Sequence, residues 1–499
     1  MANLTNEEIT LIAQQVKTML LEGATDVGNL ETTENFDAAT SLPMVQGNTL
    51  KKVSVKSYLD SIEWDISGRI IPWFGRKWAK GNSSPVGTPI GDIDLGTVLA
   101  HELGLGGYLV QNNHTRTKLK ASNHNLLDNG GAADLTGAAG HYQWGWNAPF
   151  FYQRYEDETY EYETISLGGP RRGYWNYYIP VGSRSCAGYA TMDRTNSTLK
   201  SVVNTTAQFR GGNNDSSKDG AWNSLLGLPA TVMDISGFRD AARRNGTLWF
   251  ANERVMQFVT AMLKRIIFGN RSIQTAFNPT LDANGLRQGG TGGGADLPSN
   301  WGNWGYYPYI PLSAGVEQGD LTGIFSATIN DEGTQRTINN IPSFYGLKND
   351  YKYLWCMSEN MLLECNADGS QSLFIDDNID GSLMNLSSVA GLRKVATSPA
   401  QASGAWIWPK KYKMDHLSFF PEEDGGSEST HYGDGYYNPA ATIGLRGAAL
   451  LGGADYGGFA GSLYLAGHHG VGGADAGWGA FLCEWAEAFS TEPFFCSED

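Results

Sequence analysis

A stretch rich in glycine and alanine at positions 444–483 is interrupted by side chains that could bind a partner or do chemistry. Glycine-rich backbone can follow tight, exposed paths that β-branched residues forbid. Aromatic, imidazole and carboxylate groups on such a backbone supply contact area and adaptable hydrogen bonds, as they do in antibody loops. We therefore predict a binding surface rather than a catalytic site. The predicted contact residues are Asp455, Tyr456, Phe459, Tyr464, His468, His469, Asp475 and Trp478.

The adjacent histidines His468 and His469 are the most obvious candidates for metal ligands. Neighbouring residues on a strand point to opposite faces, so joint ligation would require an irregular loop. The acidic residues between Asp415 and Glu428 lack the spacing of an EF-hand. The Gly289–Gly294 run is not followed by the helix start that a dinucleotide-binding loop requires. We predict no metal ligands, no cofactor and no catalytic residues.

The composition excludes several classes of function. The 499 residues include 36 Lys and Arg against 52 Asp and Glu, and the resulting net charge of −16 argues against nucleic acid as a partner. The five cysteines show no paired spacing, which argues against a disulfide scaffold and indicates synthesis in a reducing cytoplasm. The first residues lack the basic and apolar regions of a signal peptide, and no apolar run approaches the roughly 18 residues of a membrane span. We therefore expect no membrane insertion.

The elements that must position the predicted surface are mainly irregular or β-rich. Residues 63–210 are rich in aromatic and turn residues, which indicates short strands and packed loops. Apolar spacing predicts a helix around Trp249–Phe268 with Gly269 as its C-cap. A shorter helix is predicted over Ser236–Asn245, with Ser236 as its N-cap. After these two helices the chain is rich in Gly, Trp and Tyr and shows little helical periodicity.

A separate helix is predicted at the beginning of the chain, over Thr5–Glu22. Thr5 and Glu8 form a capping box, and one face carries an apolar stripe that includes Ile9 and Val16. Such a stripe either packs on its own domain or associates with other copies as a short coiled coil. The sequence leaves both alternatives open.

Several of these segments resemble phage tail-fibre receptor-binding proteins that are diversified by retroelements. Arg446–Gly453, Ala460–Leu465 and Trp478–Phe481 resemble the constant framework of that family's variable region. In the family, mutation falls on adenines of AAC-type codons, and changes in their first two bases cannot encode Lys, Glu, Gln, Met or Trp. None of these five residue types occurs between Gly453 and Gly477. The segment 444–483 is therefore the expected variable region.

The resemblance implies an α+β fold. Residues 1–62 would be a virion-attachment and oligomerisation segment, and residues 63–210 a β-rich aromatic region. Residues 211–499 would form a C-type-lectin-like domain, similar to formylglycine-generating enzymes, with two helices and long irregular Gly/aromatic loops. The tripeptides Glu-Pro-Asn and Gln-Pro-Asp of calcium-dependent lectins are absent. The resemblance therefore does not imply calcium-dependent sugar binding.

The function implied by the resemblance is adhesion at the tip of a phage tail fibre. The protein would be made in the host cytoplasm, carried on the virion as a homotrimer, and attached to other tail proteins through its N-terminus. Its partner would be a host cell-surface receptor, either protein or glycan. Two alternatives stay open: a tail-associated glycan depolymerase with a pair of carboxylates from distant loops, and a bacterial surface adhesin of the same fold.

Overall fold

The computed structural model describes residues 41–46, 49–54, 63–64, 70–277, 309–331, 333–440, 442–453 and 456–497. The chain divides into two compact units, Met1–Ser61 and Ile62–Asp499. In the first unit, β1 (Ser41–Gln46) and β2 (Thr49–Ser54) form an antiparallel hairpin. The predicted helix over Thr5–Glu22 lies outside the described residues, as does the Gly289–Gly294 run.

The second unit contains the remaining strands, most of them short. In chain order they are β3 (Glu63–Trp64), β4 (Ile70–Ile71), β5 (Trp73–Ala79), β6 (Thr88–Gly91), β7 (Gly106–Val110), β8 (Arg116–Lys118), β9 (His141–Gly145), β10 (Phe150–Glu156), β11 (Tyr160–Leu167), β12 (Trp175–Ile179), β13 (Gly182–Ser185), β14 (Thr191–Asp193), β15 (Thr198–Lys200) and β16 (Trp249–Ala251). They continue as β17 (Gly323–Asp331), β18 (Thr334–Phe344), β19 (Leu347–Lys348), β20 (Trp355–Cys365), β21 (Gln371–Ile375), β22 (Arg393–Thr397), β23 (Ala405–Ile407), β24 (Pro409–Lys413), β25 (Phe420–Asp424), β26 (Tyr436–Asn438), β27 (Gly444–Leu450), β28 (Leu465–Ala466), β29 (Trp478–Gly479), β30 (Leu482–Trp485) and β31 (Phe494–Phe495).

Three larger sheets organise this unit. Two are six-stranded, with the orders β31-β12-β10-β11-β5-β6 and β16-β30-β13-β9-β7-β8. The third is eight-stranded, with the path β22-β21-β20-β27-β28-β26-β23 and β29 paired to β20. The end of the chain returns to both six-stranded sheets, where β31 pairs β12 and β30 pairs β13. Strands from either side of position 210 therefore belong to the same sheets.

The described helices are α1 (Ile93–Glu102), α2 (Ile235–Arg243), α3 (Arg254–Phe268) and α4 (Ile273–Phe277). The prediction of a long helix ending at Gly269 is confirmed, since Gly269 adopts a left-handed conformation with φ 65°. The helix starts later than predicted, because Trp249–Ala251 pairs with β30 as a strand. The predicted N-cap Ser236 is wrong, since Asp234 accepts the capping hydrogen bond from Gly237.

The predicted α+β fold with a C-type-lectin-like domain is wrong. The protein is mostly β, with 39% strand and 12% helix over the described residues. The physical reason lies in the glycine- and aromatic-rich segments that the sequence presents as irregular loops. These segments form two- to five-residue strands such as β23, β26 and β28, whose pairing partners lie far away in the sequence.

Helix α3 is the structural centre of the second unit, because it contacts all three larger sheets. Its Arg265 forms a fully buried ion pair of 2.9 Å with Glu163 of β11. Gln257 accepts a hydrogen bond from Arg184 of β13, and the capping residue Glu253 accepts one from Asn360 of β20. The predicted apolar face of α3 is buried, and so are its polar residues, which are stabilised by these specific partners.

Candidate functional site

The segment 444–483 combines buried strands with two surface loops. Strand β27 lies between β20 and β28 in the eight-stranded sheet, and β30 lies within a six-stranded sheet. At Gly447 a Cβ atom would come within 2.3 Å of Met357 Sδ, so glycine is needed for close packing of β27 on β20. The side chains available to a partner therefore come from the loops that precede β28 and β29.

The predicted contact residues occupy three different environments. Tyr456, Phe459, His468 and His469 are half-buried, and Asp475 is exposed. Asp455 lies outside the described residues. Tyr464 and Trp478 are only 0% and 2% exposed. Neither of these two predicted contact residues faces solvent, because their large rings pack beneath the others.

Six half-buried rings form a closed circuit of contacts on the eight-stranded sheet. Trp406 lies 5.1 Å from Tyr437 and 5.2 Å from Tyr456, measured between ring centroids. Trp355 lies 5.1 Å from Tyr456 and 5.3 Å from His469. His468 closes the circuit, at 4.6 Å from Tyr437 and 3.8 Å from His469.

Two further rings extend the circuit on one side. Phe459 lies 4.8 Å from Trp406 and stacks on Trp408 at 4.4 Å, with an angle of 19° between the ring planes. We call the whole surface the aromatic patch. Its residues are Trp355, Trp406, Trp408, Tyr437, Tyr456, Phe459, His468 and His469.

Tyr464 forms the floor of the aromatic patch. Its ring lies 5.6 Å from Trp406 and 5.9 Å from Tyr456, and its hydroxyl accepts a hydrogen bond from Trp355 Nε1 at 3.3 Å. Trp478 supports the opposite side, 4.7 Å from His469. Rings held from several sides lose little freedom on binding, which makes such a surface suited to recognition.

The secondary structure explains why these rings converge. Trp406 of β23 and Tyr437 of β26 are directly paired residues in the antiparallel ladder. Trp355 begins β20, where it pairs with Trp478 of β29. His468 follows β28, which runs parallel to β26. Residues distant in the sequence are therefore brought to one surface by the pairing of short strands.

The aromatic patch is close to electrically neutral at pH 7. Burial lowers the pKa of His469 to about 3, with a smaller contribution from His468. Burial also lowers the pKa of His468, and the charge of Arg446 adds to the effect. Both imidazoles are therefore neutral. The surface offers ring faces and weakly polar edges, which suits stacking on sugar or apolar side-chain surfaces.

Sequence reasoning missed half of the patch. Trp355, Trp406, Trp408 and Tyr437 all lie before position 444 and contact the predicted residues only through the fold. One signal was present: Trp406 and Trp408 are two positions apart, a spacing that places side chains on the same face of a strand. The pairing of Trp406 and Trp408 on one face could have been proposed from the sequence. The rings that contact them could not, because they come from distant segments of the chain.

A buried cluster elsewhere has the composition of a nucleophilic triad. Cys186 Sγ lies 3.8 Å from His124 Nδ1, and His124 Nε2 lies 2.8 Å from Asp320 Oδ1. Cys186 is fully buried, and burial raises the pKa of its thiol, whereas a nucleophilic cysteine needs a lowered pKa and access. Lys348 is also buried there and donates to the carbonyl of Gly346. We therefore assign this cluster to the core.

A possible metal-ligand group in the described residues consists of Asp377, His416 and Glu492. Arg393 already occupies this position, because its Nε lies 2.8 Å from both Asp377 oxygens and its guanidinium also pairs with Glu492. His416 Nδ1 lies 3.3 Å from Glu492. This arrangement is an ion-pair network in which the guanidinium occupies the position that a metal ion would take.

The sequence matches no family model and no curated protein. Within the described residues, none of the helices is both long enough and apolar enough to span a membrane.

Proposed function

We propose that this chain is a receptor-binding protein at the tip of a phage tail fibre. The observation that carries the proposal is the aromatic patch, whose eight half-buried rings contact each other on one surface. Aromatic side chains dominate binding energy at interfaces because they bury a large area at a small entropic cost. The patch is built partly from the segment 444–483, where the family resemblance expects diversification.

Display of the patch on a virion requires attachment to the tail and association of several copies. In this proposal, residues 1–62 attach the chain to other tail proteins, and three copies associate into a trimer. A single shallow patch binds weakly, and several linked copies raise the apparent affinity by roughly 10²–10⁴. The receptor is a glycan or protein on the host surface, because neutral ring faces suit sugar rings and apolar side chains.

A cell-binding experiment tests this proposal. Fluorescently labelled full-length protein is titrated onto cells of candidate host strains, and the supernatant is assayed for released reducing sugar. We expect saturable binding to a subset of strains without sugar release. Binding to no strain would contradict the adhesin function. Sugar release that is lost on replacing one acidic residue outside 444–483 would instead identify a depolymerase.

The diversification part of the proposal has its own test at the level of the gene. A near-copy of the coding sequence for 444–483, differing at adenines and adjacent to a reverse-transcriptase gene, is the expected arrangement. The codons for Tyr456, Phe459, His468 and His469 should be among the differing positions. A near-copy whose differences fall on the buried framework of β27 would contradict this reading, because those residues pack inside the sheet.

A further inference from the structure

A lysine and an aspartate face each other in the core with no access to solvent. Lys264 on α3 and Asp350, in the turn before β20, have side chains that are both 0% exposed. Lys264 Nζ lies 2.6 Å from Asp350 Oδ2. The other oxygen, Asp350 Oδ1, is buried and has no hydrogen-bond partner among the described residues. Because this oxygen has no partner, the charges of the ion pair are incompletely compensated, which costs free energy in a core.

The surroundings of the pair are apolar on one side. The rings of Tyr351, Phe277 and Phe344 lie with their centroids 5.3, 5.7 and 5.8 Å from Lys264 Nζ. Low polarity favours transfer of the proton from the ammonium to the carboxylate, since two neutral groups replace two charges. Burial accordingly lowers the pKa of Lys264, although Asp350 opposes the effect.

A second carboxyl group lies nearby. Asp434 is 1% exposed, and its Oδ2 accepts a hydrogen bond from the Leu463 amide at 2.9 Å. Its Oδ1 is buried and without a hydrogen-bond partner in the described part of the chain. Burial raises the pKa of Asp434 to about 7, and its charge acts on Lys264. Asp434 can therefore take up and return a proton at neutral pH. Ser462 Oγ, 3.3 Å from Lys264 Nζ, helps to orient the amine.

We propose that Lys264 and Asp350 join spontaneously to form an intramolecular amide bond. The neutral amine of Lys264 attacks Cγ of Asp350, so that a C–N bond forms and one C–O bond breaks. One proton passes from the nitrogen to the departing hydroxyl, which leaves as water, and Asp434, which is hydrogen-bonded to the amide that follows Ser462, serves as the nearby acid–base group for this transfer. One water is released and nothing is oxidised or reduced. Fixed, dry placement of two reactants corresponds to effective concentrations of about 10⁵–10⁸ M, which favours condensation over hydrolysis.

The bond would lock the centre of the fold to the aromatic patch. Lys264 belongs to α3, and Asp350 lies five positions before Trp355 of the patch. Asp434 and Ser462 precede Tyr437 and Tyr464 by a few residues. A covalent bond between positions 264 and 350 therefore holds the segments that carry the patch under mechanical load. The stabilising effect of this bond does not depend on which receptor the patch binds.

The mass of the denatured full-length protein tests the proposal directly. We expect it to be lower than the sequence mass by one water molecule. Trypsin should fail to cleave after Lys264 and should release Val255–Arg265 covalently joined to Asn349–Lys352. The buried Lys348 serves as an internal control, because it contacts carbonyl groups and Tyr142 and should be cleaved normally. An unchanged mass, with Asn349–Lys352 recovered as a separate peptide, would overturn the proposal.

Three variants test the roles of Asp350 and Asp434. In Asp350→Asn the leaving group becomes ammonia, so the mass should fall by one ammonia relative to the variant sequence. In Asp434→Asn the linked fraction should fall while the circular dichroism spectrum stays native, and Asp434→Glu should restore it. Complete linkage in a folded Asp434→Asn protein would contradict the role of Asp434 in proton transfer.

Discussion

Replacement of Phe459 by Ala tests whether this ring lies at the surface, as the aromatic patch requires, or in the core. Phe459 is half-buried and stacks on Trp408 at 4.4 Å. A fully buried Phe→Ala change costs about 3–5 kcal/mol in free energy of unfolding. Since part of the Phe459 ring is already in water, about 2 kcal/mol is expected, most of it from the lost contacts with Trp408 and Trp406.

The matched comparison is Tyr464→Ala beneath the same patch. Tyr464 is 0% exposed, contacts two rings and accepts a hydrogen bond from Trp355. Its replacement should cost about 4 kcal/mol, because a cavity and an unpaired indole N–H both remain. Urea titrations of the native protein and both variants measure the difference in free energy of unfolding, provided that the three proteins unfold with the same m-value.

The two variants should differ in the free energy of unfolding that they lose. Equal losses would mean that Phe459 is a core residue and that the aromatic patch is not a surface. A loss near zero for Phe459→Ala would be equally damaging, because it would show that the ring does not pack on Trp408 and that the patch is not held rigidly.

Three further predictions concern the core and the N-terminus. Burial raises the pKa of Glu359 from 4.5 to about 8, so its contribution to stability is fully present below about pH 4.5 and is lost as the pH rises towards 8. Across this interval the stability of Glu359→Gln relative to the native protein should therefore rise by about 1.4 kcal/mol per pH unit. Urea midpoints of the two proteins that differ equally at pH 5 and pH 8 would contradict this prediction. Arg265→Ala should lower the free energy of unfolding in urea by about 3–5 kcal/mol, because it leaves Glu163 charged and unpaired. Arg265→Met combined with Glu163→Met should recover most of that loss, and no recovery would show that the unpaired charge is not its cause. Removal of residues 1–60 should abolish self-association in light scattering, and persistent oligomers would place the contact in the second unit.

The sequence predicted two of the four described helices, α2 and α3, and missed α1 and α4. The apolar spacing around Val255 and Ile266 and the terminal Gly269 are local signals, and α3 follows them. The N-cap of α2 was misassigned because Ser236 and Asp234 are both good capping residues two positions apart, and the backbone chooses between them. Helix boundaries depend on such choices, which tertiary contacts decide.

The β architecture could not be predicted in the same way. Strands of two or three residues, such as β26 and β28, are too short to show an alternating pattern, and their pairing is set by contacts across the whole chain. The resemblance to a lectin-like family therefore led to the wrong fold class. The same cause limited the site: the window 444–483 indicated Tyr456 and His469, but not their partner Trp355.

The most direct test of the central claim is the affinity of the aromatic patch for host envelope. Dissociation constants are measured by biolayer interferometry for the native protein, for Trp408→Ala combined with Phe459→Ala, and for Trp175→Ala. Trp175 is a matched control, since it is a 57% exposed tryptophan packed on Phe495 of β31 outside the patch.

Aromatic residues at the centre of an interface contribute about 2 kcal/mol or more, or about 30-fold in affinity for each ring. Trp408 and Phe459 stack on each other, and contributions of contacting interface residues are not additive, so the double variant should weaken binding by at least the roughly 30-fold loss expected for one ring while remaining folded. Trp175→Ala should bind as the native protein does. Native affinity in the folded double variant, or an equal loss in Trp175→Ala, would contradict the assignment of the aromatic patch as the receptor-binding surface.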